Sequence, residues 1–213
     1  ERHRMLVTIG ARPTRPDTGF GYMELGDELG PGVRRVARFV EKPDAATATR
    51  FVASDRFLWN TGIFVWRPDD LLDEIRAVAP DLGAALDRLP EGPDAFFGAA
   101  PTVTIDEGVL ERSGRVAVVF AGFEWDDVGS WAALLRVRER TAEGNVLVGD
   151  AHAVDCRYTL VWADGGPVIT FGLDQAVVVR AGSLVLVTTR ERAADLKRLL
   201  ARLPAELRGE SGA

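Results

Sequence analysis

Two adjacent acids, Asp126 and Asp127, stand between aromatic residues in Phe123-Glu124-Trp125-Asp126-Asp127-Val128-Gly129-Ser130-Trp131. A carboxylate presented beyond the carboxyl end of a strand can hold a hard divalent cation such as Mg²⁺ together with substrate phosphates. The same acids could instead serve only to start the next helix, since acids in a first turn are ordinary. Residue types alone leave these two readings open. A second site of interest is Glu41-Lys42-Pro43. Of the 26 basic residues only Lys42 and Lys197 are lysine, so this chain uses arginine wherever either would serve. A compact ammonium on a flexible stem suits a phosphate oxygen in a tight space where a planar guanidinium does not. Lys197 falls in a C-terminal amphipathic run and reads as a solvated face residue. Asn60, in the apolar run Phe57 to Trp66, must find partners once buried, either by tying down a loop or by turning its amide toward ligand hydroxyls. Gly21 lies between Phe20 and Tyr22, where a backbone can approach a ligand closely or simply turn. Asp106 is read as a helix cap.

The elements that must position these residues follow from periodicity. Met5 to Ala11 reads as a buried strand. An extended loop with two prolines and two glycines, Arg12 to Gly21, returns to a strand at Tyr22. A turn at Gly30-Pro31-Gly32 leads to a strand over Val33–Val40 that carries Glu41 and Lys42 at its end. Helices are expected from Pro43-Asp44 to Ser54 and from Pro68 to Val78, with a helical region over Asp81–Ala99 and another helix starting near Thr104. Val116–Phe120 reads as a buried strand, and Ser130 as the N-cap of a helix running from Trp131 to Arg140. From Asn145 onward the texture changes to six short β runs: Asn145–Val148, His152–Asp155, Thr159–Trp162, Val168–Phe171, Ala176–Val179 and Leu184–Val187. An amphipathic helix over Arg190–Leu203 closes the pattern.

Composition narrows the function. The chain has 213 residues, 32 acids against 26 bases and a net charge of −6, which argues against nucleic acid as a main partner. No run of residues approaches a membrane span. A single cysteine, Cys156, excludes an internal disulfide and suits a reducing cytoplasm. Its strand-like surroundings make it a structural thiol. The two histidines, His3 and His152, form no metal cluster with it. Strands alternating with helices up to Arg140 indicate an α/β layer fold.

Taken in order, Pro13-Thr14-Arg15-Pro16-Asp17-Thr18-Gly19-Phe20-Gly21-Tyr22, Phe39-Val40-Glu41-Lys42-Pro43, Trp59-Asn60-Thr61-Gly62, Thr104-Ile105-Asp106 and Trp125 to Trp131 resemble the mannose-1-phosphate guanylyltransferases, or GDP-mannose pyrophosphorylases. The resemblance covers nearly the whole chain. It implies a Rossmann-like, GT-A-like mixed sheet, followed by a small β-rich domain of partial β-helix character and a C-terminal helix. It also implies roles: Glu41 accepts hydrogen bonds from sugar hydroxyls, Lys42 pairs with the sugar phosphate, Gly21 and Asn60 line the sugar pocket, Asp106 touches substrate, Asp127 holds Mg²⁺, and Asp126 supports it. The implied substrates are mannose 1-phosphate and GTP, the implied location is cytoplasmic, and a homodimer is one assembly the resemblance allows.

The expected organisation is therefore 1–141 as the sugar-phosphate side of a catalytic domain, 142–204 as the β-rich domain, and 205–213 as a flexible tail. The family's Gly-rich nucleotide loop and a further metal-binding aspartate have no counterpart in these residues. The catalytic domain is thus expected to be incomplete at its N-terminal side, and this polypeptide alone is expected not to turn over GTP. Rival readings are a related nucleotidyltransferase of the glucose-1-phosphate type and a non-catalytic sugar-phosphate-binding module.

Overall fold

Alternation along Leu6–Ala11 (β1) puts Leu6 and Thr8 inward, and this strand lies between two others. It pairs antiparallel with Phe57–Val65 (β4) and parallel with Val116–Phe120 (β5). Tyr22–Gly30 (β2) pairs antiparallel with β4 and with Val33–Val40 (β3) through the Pro31-Gly32 turn, and the start of β3 meets β5. The five strands thus close on themselves in the order β1-β4-β2-β3-β5. These observations come from a computed structural model, which describes residues 4–207. The chain divides into two compact units, Glu1–Trp125 and Asp126–Ala213.

The register decides where each core residue goes. Tyr22 lies opposite Trp59 and Met23 opposite Leu58, so adjacent pairs face opposite sides of the sheet. Met23 and Leu58 join Leu6, Phe39, Val116 and Val118 in one core, which Ile75 and Leu86 complete from the helices Pro68–Val78 (α2) and Pro80–Leu86 (α3). Tyr22 and Trp59 join Phe20, Phe51 and Phe57 in a second, aromatic core. Against it packs Ala45–Ser54 (α1), whose N-cap Asp44 accepts the Thr47 amide at 2.7 Å. The expected helical region over Asp81–Ala99 is broken, into α3, a 3-10 turn at Leu89–Glu91 and Pro93–Ala99 (α4). Pro90 and the Gly92-Pro93 pair, with Gly92 at φ +126, interrupt it. The helix expected near Thr104 is a single π-helical turn, Asp106–Leu110, with Val109 and Leu110 in the core.

In the second unit, Trp131–Val137 (α5) ends before the expected Arg140, because Arg138 is already extended. The six expected β runs are four strands: Val146–Val154 (β6), Leu160–Phe171 (β7), Ala176–Ala181 (β8) and Leu184–Thr189 (β9). The first three are parallel neighbours and β9 turns back antiparallel. Glycines let two pairs of runs bend without leaving the sheet: Gly149 at φ +76, where the register shifts, and Gly165 and Gly166 at φ +92 and +141. Leu135 of α5 packs on Val146, Leu160, Val177 and Val179, and Trp131 meets Trp162 edge-on at 5.5 Å. The helix α5 thus shares its core with the sheet that follows it, and the compact units divide at Trp125/Asp126 while the sequence texture changes after 141. Asn145 donates to the Cys156 carbonyl at 2.8 Å and accepts the Thr159 amide at 3.0 Å, and Cys156 is buried beside Thr170.

The closing helix is shorter than its pattern, a 3-10 turn at Arg192–Ala194 and then Leu196–Leu200 (α6). Leu199 and Leu200 stay exposed, so the apolar stripe gains little of the burial that sustains a short helix. Of the expected tail, Ala205–Leu207 form a 3-10 turn, while 208–213, like His3, lie outside the described residues. Among the described residues, no helix is long and apolar enough to cross a membrane.

Gly149 gives a direct test of this sheet. A Cβ there would run into the Ala163 carbonyl and force a side chain into the left-handed region. Gly149→Ala is expected to destabilise the protein by roughly 1–3 kcal/mol in urea denaturation, and a change within about 0.5 kcal/mol, the range of a neutral surface substitution, would contradict the assigned register.

Candidate functional site

Asn60 is buried in β4, and its side chain does two things at once. Its Oδ1 accepts from the Thr8 hydroxyl of β1 at 2.8 Å and from the Gly62 amide at 3.3 Å. Its Nδ2 donates to Asp106 Oδ1 at 2.9 Å. The amide thus joins β1 and β4 to the turn that carries Asp106, with Asp106 set at the edge of the arrangement. The Asn60 backbone N–H donates to the Gly21 carbonyl at 2.8 Å, which fixes the end of the 12–21 loop beside β4.

Gly21 is required by close approach. A Cβ on it would come 2.5 Å from Glu41 Oε2 and 3.0 Å from Phe39 Cζ. Glu41 therefore lies flat over the Gly21 backbone, and its other oxygen takes Lys42 Nζ at 2.8 Å. Its side chain is 14% exposed, whereas that of Lys42 is 60% exposed. An exposed pair between neighbours contributes little to stability, so packing gives no reason for lysine here in an arginine-rich chain. The Lys42 backbone is at φ +46, uncommon for a residue with a side chain and further disfavoured before Pro43. Such a conformation persists only where its surroundings enforce it. Its amide is held by the Phe20 carbonyl at 3.2 Å, and that of Glu41 by Glu111 Oε1 at 2.8 Å.

Electrostatics separate the charged groups. The hydrogen bond and negative charge of Glu41 raise the Lys42 pKa, with smaller contributions from Glu107 and Asp106. The ammonium thus stays charged at neutral pH and suits anion binding, not proton abstraction. Asp106 is raised above its ordinary value of 3.8, first by burial and then by the charge of Glu41, against the opposing charge of Lys42 and the Asn60 hydrogen bond. It is not a helix cap: Ile105 holds the cap position, without a side-chain capping bond.

The acid pair splits in the second unit. Asp126 makes a bidentate ion pair with Arg136 of α5, at 2.7 and 2.8 Å, and its side chain is 9% exposed. Asp127 is exposed, its Oδ2 lying against Gly129. Neither acid caps α5; Ser130 holds that position, though its hydroxyl makes no capping bond. Among the described residues no three His, Cys, Asp or Glu side chains gather as a metal-binding group. Asp127 fits a hard cation as one ligand, of the kind Mg²⁺ accepts alongside waters and substrate phosphates.

The geometry brings Gly21, Glu41, Lys42, Asn60 and Asp106 together in the first unit, while Asp127 belongs to the second. Thr8 and Glu111 join this arrangement through hydrogen bonds that sequence reading passed over. A threonine inside an apolar strand was a signal of a buried partner. Glu111 carried none, since its bond partner is 70 residues away.

Residues 1–144 match the family model described as Nucleotidyl transferase. The chain belongs to the nucleotidyl transferase family. It is 38% identical over 218 residues to the xanthan biosynthesis protein XanB of Xanthomonas campestris pv. campestris (strain ATCC 33913), covering 97% of this chain and 46% of that protein. It is 36% identical over 220 residues to mannose-1-phosphate guanylyltransferase ManC of Salmonella typhimurium (strain LT2), covering 96% and 46%. Among solved structures, one described as mannose-1-phosphate geranyltransferase from Thermus thermophilus is 37% identical with a TM-score of 0.83, covering 92% of this chain and 59% of that one. This nucleotidyl transferase chain thus spans about half the length of the curated relatives it matches.

Asp106 yields a prediction with a definite sign. Because its pKa is raised on folding, its contribution to stability is full below the unfolded value and is lost as pH rises through the folded one. Asp106→Asn keeps an acceptor for Asn60 Nδ2 and removes the charge. The stability advantage of D106N over the parent is expected to widen from about pH 4 to pH 7 in chemical denaturation; a constant difference would contradict the assigned environment.

Proposed function

We propose that this chain carries the sugar-phosphate side of a mannose-1-phosphate guanylyltransferase, in which an oxygen of mannose 1-phosphate attacks the α-phosphorus of GTP in line and pyrophosphate leaves. The observation that carries the reading is the Glu41-Lys42 corner, where the chain's one lysine outside the C-terminal region is held in a left-handed backbone beside Asn60 and Asp106. Names borne by relatives such as the Salmonella ManC support the choice of sugar and nucleotide.

In this reading the carboxylate of Glu41 and the neighbouring Asp106 accept hydrogen bonds from sugar hydroxyls, and Gly21 brings bare backbone up to the ring. The Lys42 ammonium sits on the sugar phosphate and offsets its repulsion by the nucleotide phosphates. Holding the two anions aligned makes the attack effectively intramolecular, and no covalent protein nucleophile is needed. Asp127 would be one ligand of Mg²⁺, which when bound supplies charge neutralisation on phosphate oxygens. The Asp126–Arg136 pair ties the segment beside Asp127 to the last turn of α5.

The test is pyrophosphate release from GTP and mannose 1-phosphate by the full-length protein that the native gene encodes. Lys42→Arg and Asp127→Asn are each expected to lower kcat/KM at least tenfold, a loss of about 1.4 kcal/mol or more in transition-state stabilisation. A parent protein without this activity would overturn the reading, and full activity in D127N would remove Asp127 from metal binding.

A further inference from the structure

The left-handed corner at Lys42 needs something to hold it, and the contacts around it form a closed circuit. Glu41 Oε2 lies over the Gly21 backbone. The Gly21 carbonyl accepts the Asn60 amide at 2.8 Å. Asn60 Nδ2 donates to Asp106 Oδ1 at 2.9 Å. The Asp106 carbonyl accepts the Glu111 amide at 2.9 Å, closing the π-helical turn. The circuit then returns, because Glu111 Oε1 accepts the backbone N–H of Glu41 at 2.8 Å. Glu111 is thus joined by its backbone to the turn that carries Asp106 and by its side chain to the corner that carries Lys42.

We infer that Glu111 is a positioning residue for the sugar-phosphate site, fixing the Glu41-Lys42 corner against the Asp106 turn through its carboxylate oxygen. This rests on the reading proposed above. Three features argue for a positioning role. Glu111 caps the C-terminal end of the Asp106 turn, and its own amide donates to both the Asp106 and Val109 carbonyls, so the base of its side chain is fixed. The bond it accepts is to the amide immediately before a residue at φ +46, where loss of restraint allows relaxation to an ordinary backbone conformation. The Glu111 side chain is exposed and outside the hydrophobic cores, so its removal leaves the fold's packing intact. A charged acceptor on a backbone N–H makes a stronger bond than a neutral one, but the geometry requires only an acceptor.

That last point separates positioning from charge. Glu111→Gln retains a side-chain oxygen at the same reach, whereas Glu111→Ala removes it. The experiment titrates the parent chain, E111A and E111Q with mannose 1-phosphate by calorimetry and follows the Glu41 amide proton by hydrogen exchange in NMR. E111A is expected to weaken binding about tenfold and to lose protection at the Glu41 amide, with the β3 amides unchanged. E111Q is expected to restore both to within about twofold of the parent. Unaltered Glu41 protection in E111A would overturn the inference whether or not any sugar phosphate binds. Equal loss in E111Q and E111A would also overturn it, by assigning the effect to charge. A parent chain that binds no mannose 1-phosphate counts against the proposed function, and the exchange measurement still decides the role of Glu111.

Discussion

One side-chain amide holds the candidate site together. Asn60 is buried on β4 with its oxygen committed to Thr8 and Gly62 and its nitrogen to Asp106. A buried amide must satisfy both ends, and a partner left unsatisfied costs about 1–3 kcal/mol. This bond sets a carboxylate from a π-helical turn beside the end of β3, where Glu41 and Lys42 emerge. Val109 and Leu110 anchor that turn in the apolar core, and the bond to Asn60 orients its Asp106 carboxylate.

The arrangement also works against stability in several places at once. Asp106 is partly buried near the like charge of Glu41, Lys42 is placed in a backbone region that favours glycine, and Glu41 and Phe39 crowd the space a Cβ on Gly21 would need. By contrast, the buried acids Asp70 and Glu74 of α2 are matched by Arg4 and Arg115, and Asp126 by Arg136. Burial and the charge of Glu41 thus raise the Asp106 pKa, while the buried acids of α2 and Asp126 each have an arginine partner. In the function proposed above, a sugar phosphate would bring hydroxyl donors to the carboxylates and a second anion to the ammonium.

Much of the fold was legible because local rules and tertiary structure agreed. Val33–Val40, Pro68–Val78 and Val116–Phe120 begin and end where their turn, proline and apolar signals place them. The β-rich region was less so: Gly149 and Gly165-Gly166 read as breaks between strands, but at positive φ they are bends within continuous ones. The helix expected at 190–203 failed because its stripe had to find a surface, which no periodicity reveals. In the site, Lys42 and Asn60 could be singled out as odd residues for their surroundings, while Glu41 came only with the family resemblance. What joins them could not, since Asn60–Asp106 and Glu41–Glu111 bridge 46 and 70 residues. The aspartate pair shows the same limit, since no local pattern indicates that Asp126 pairs with Arg136 while Asp127 stays exposed.

Gly21, Glu41, Lys42, Asn60 and Asp106 are proposed to form one preorganised sugar-phosphate site. Chemical-shift mapping of ¹⁵N-labelled chain during titration with mannose 1-phosphate tests it most directly, with mannose and inorganic phosphate as controls. Perturbations centred on these five residues, saturating together and far weaker with either half of the ligand, are the predicted result. Shifts centred elsewhere, or none at millimolar ligand, would contradict it.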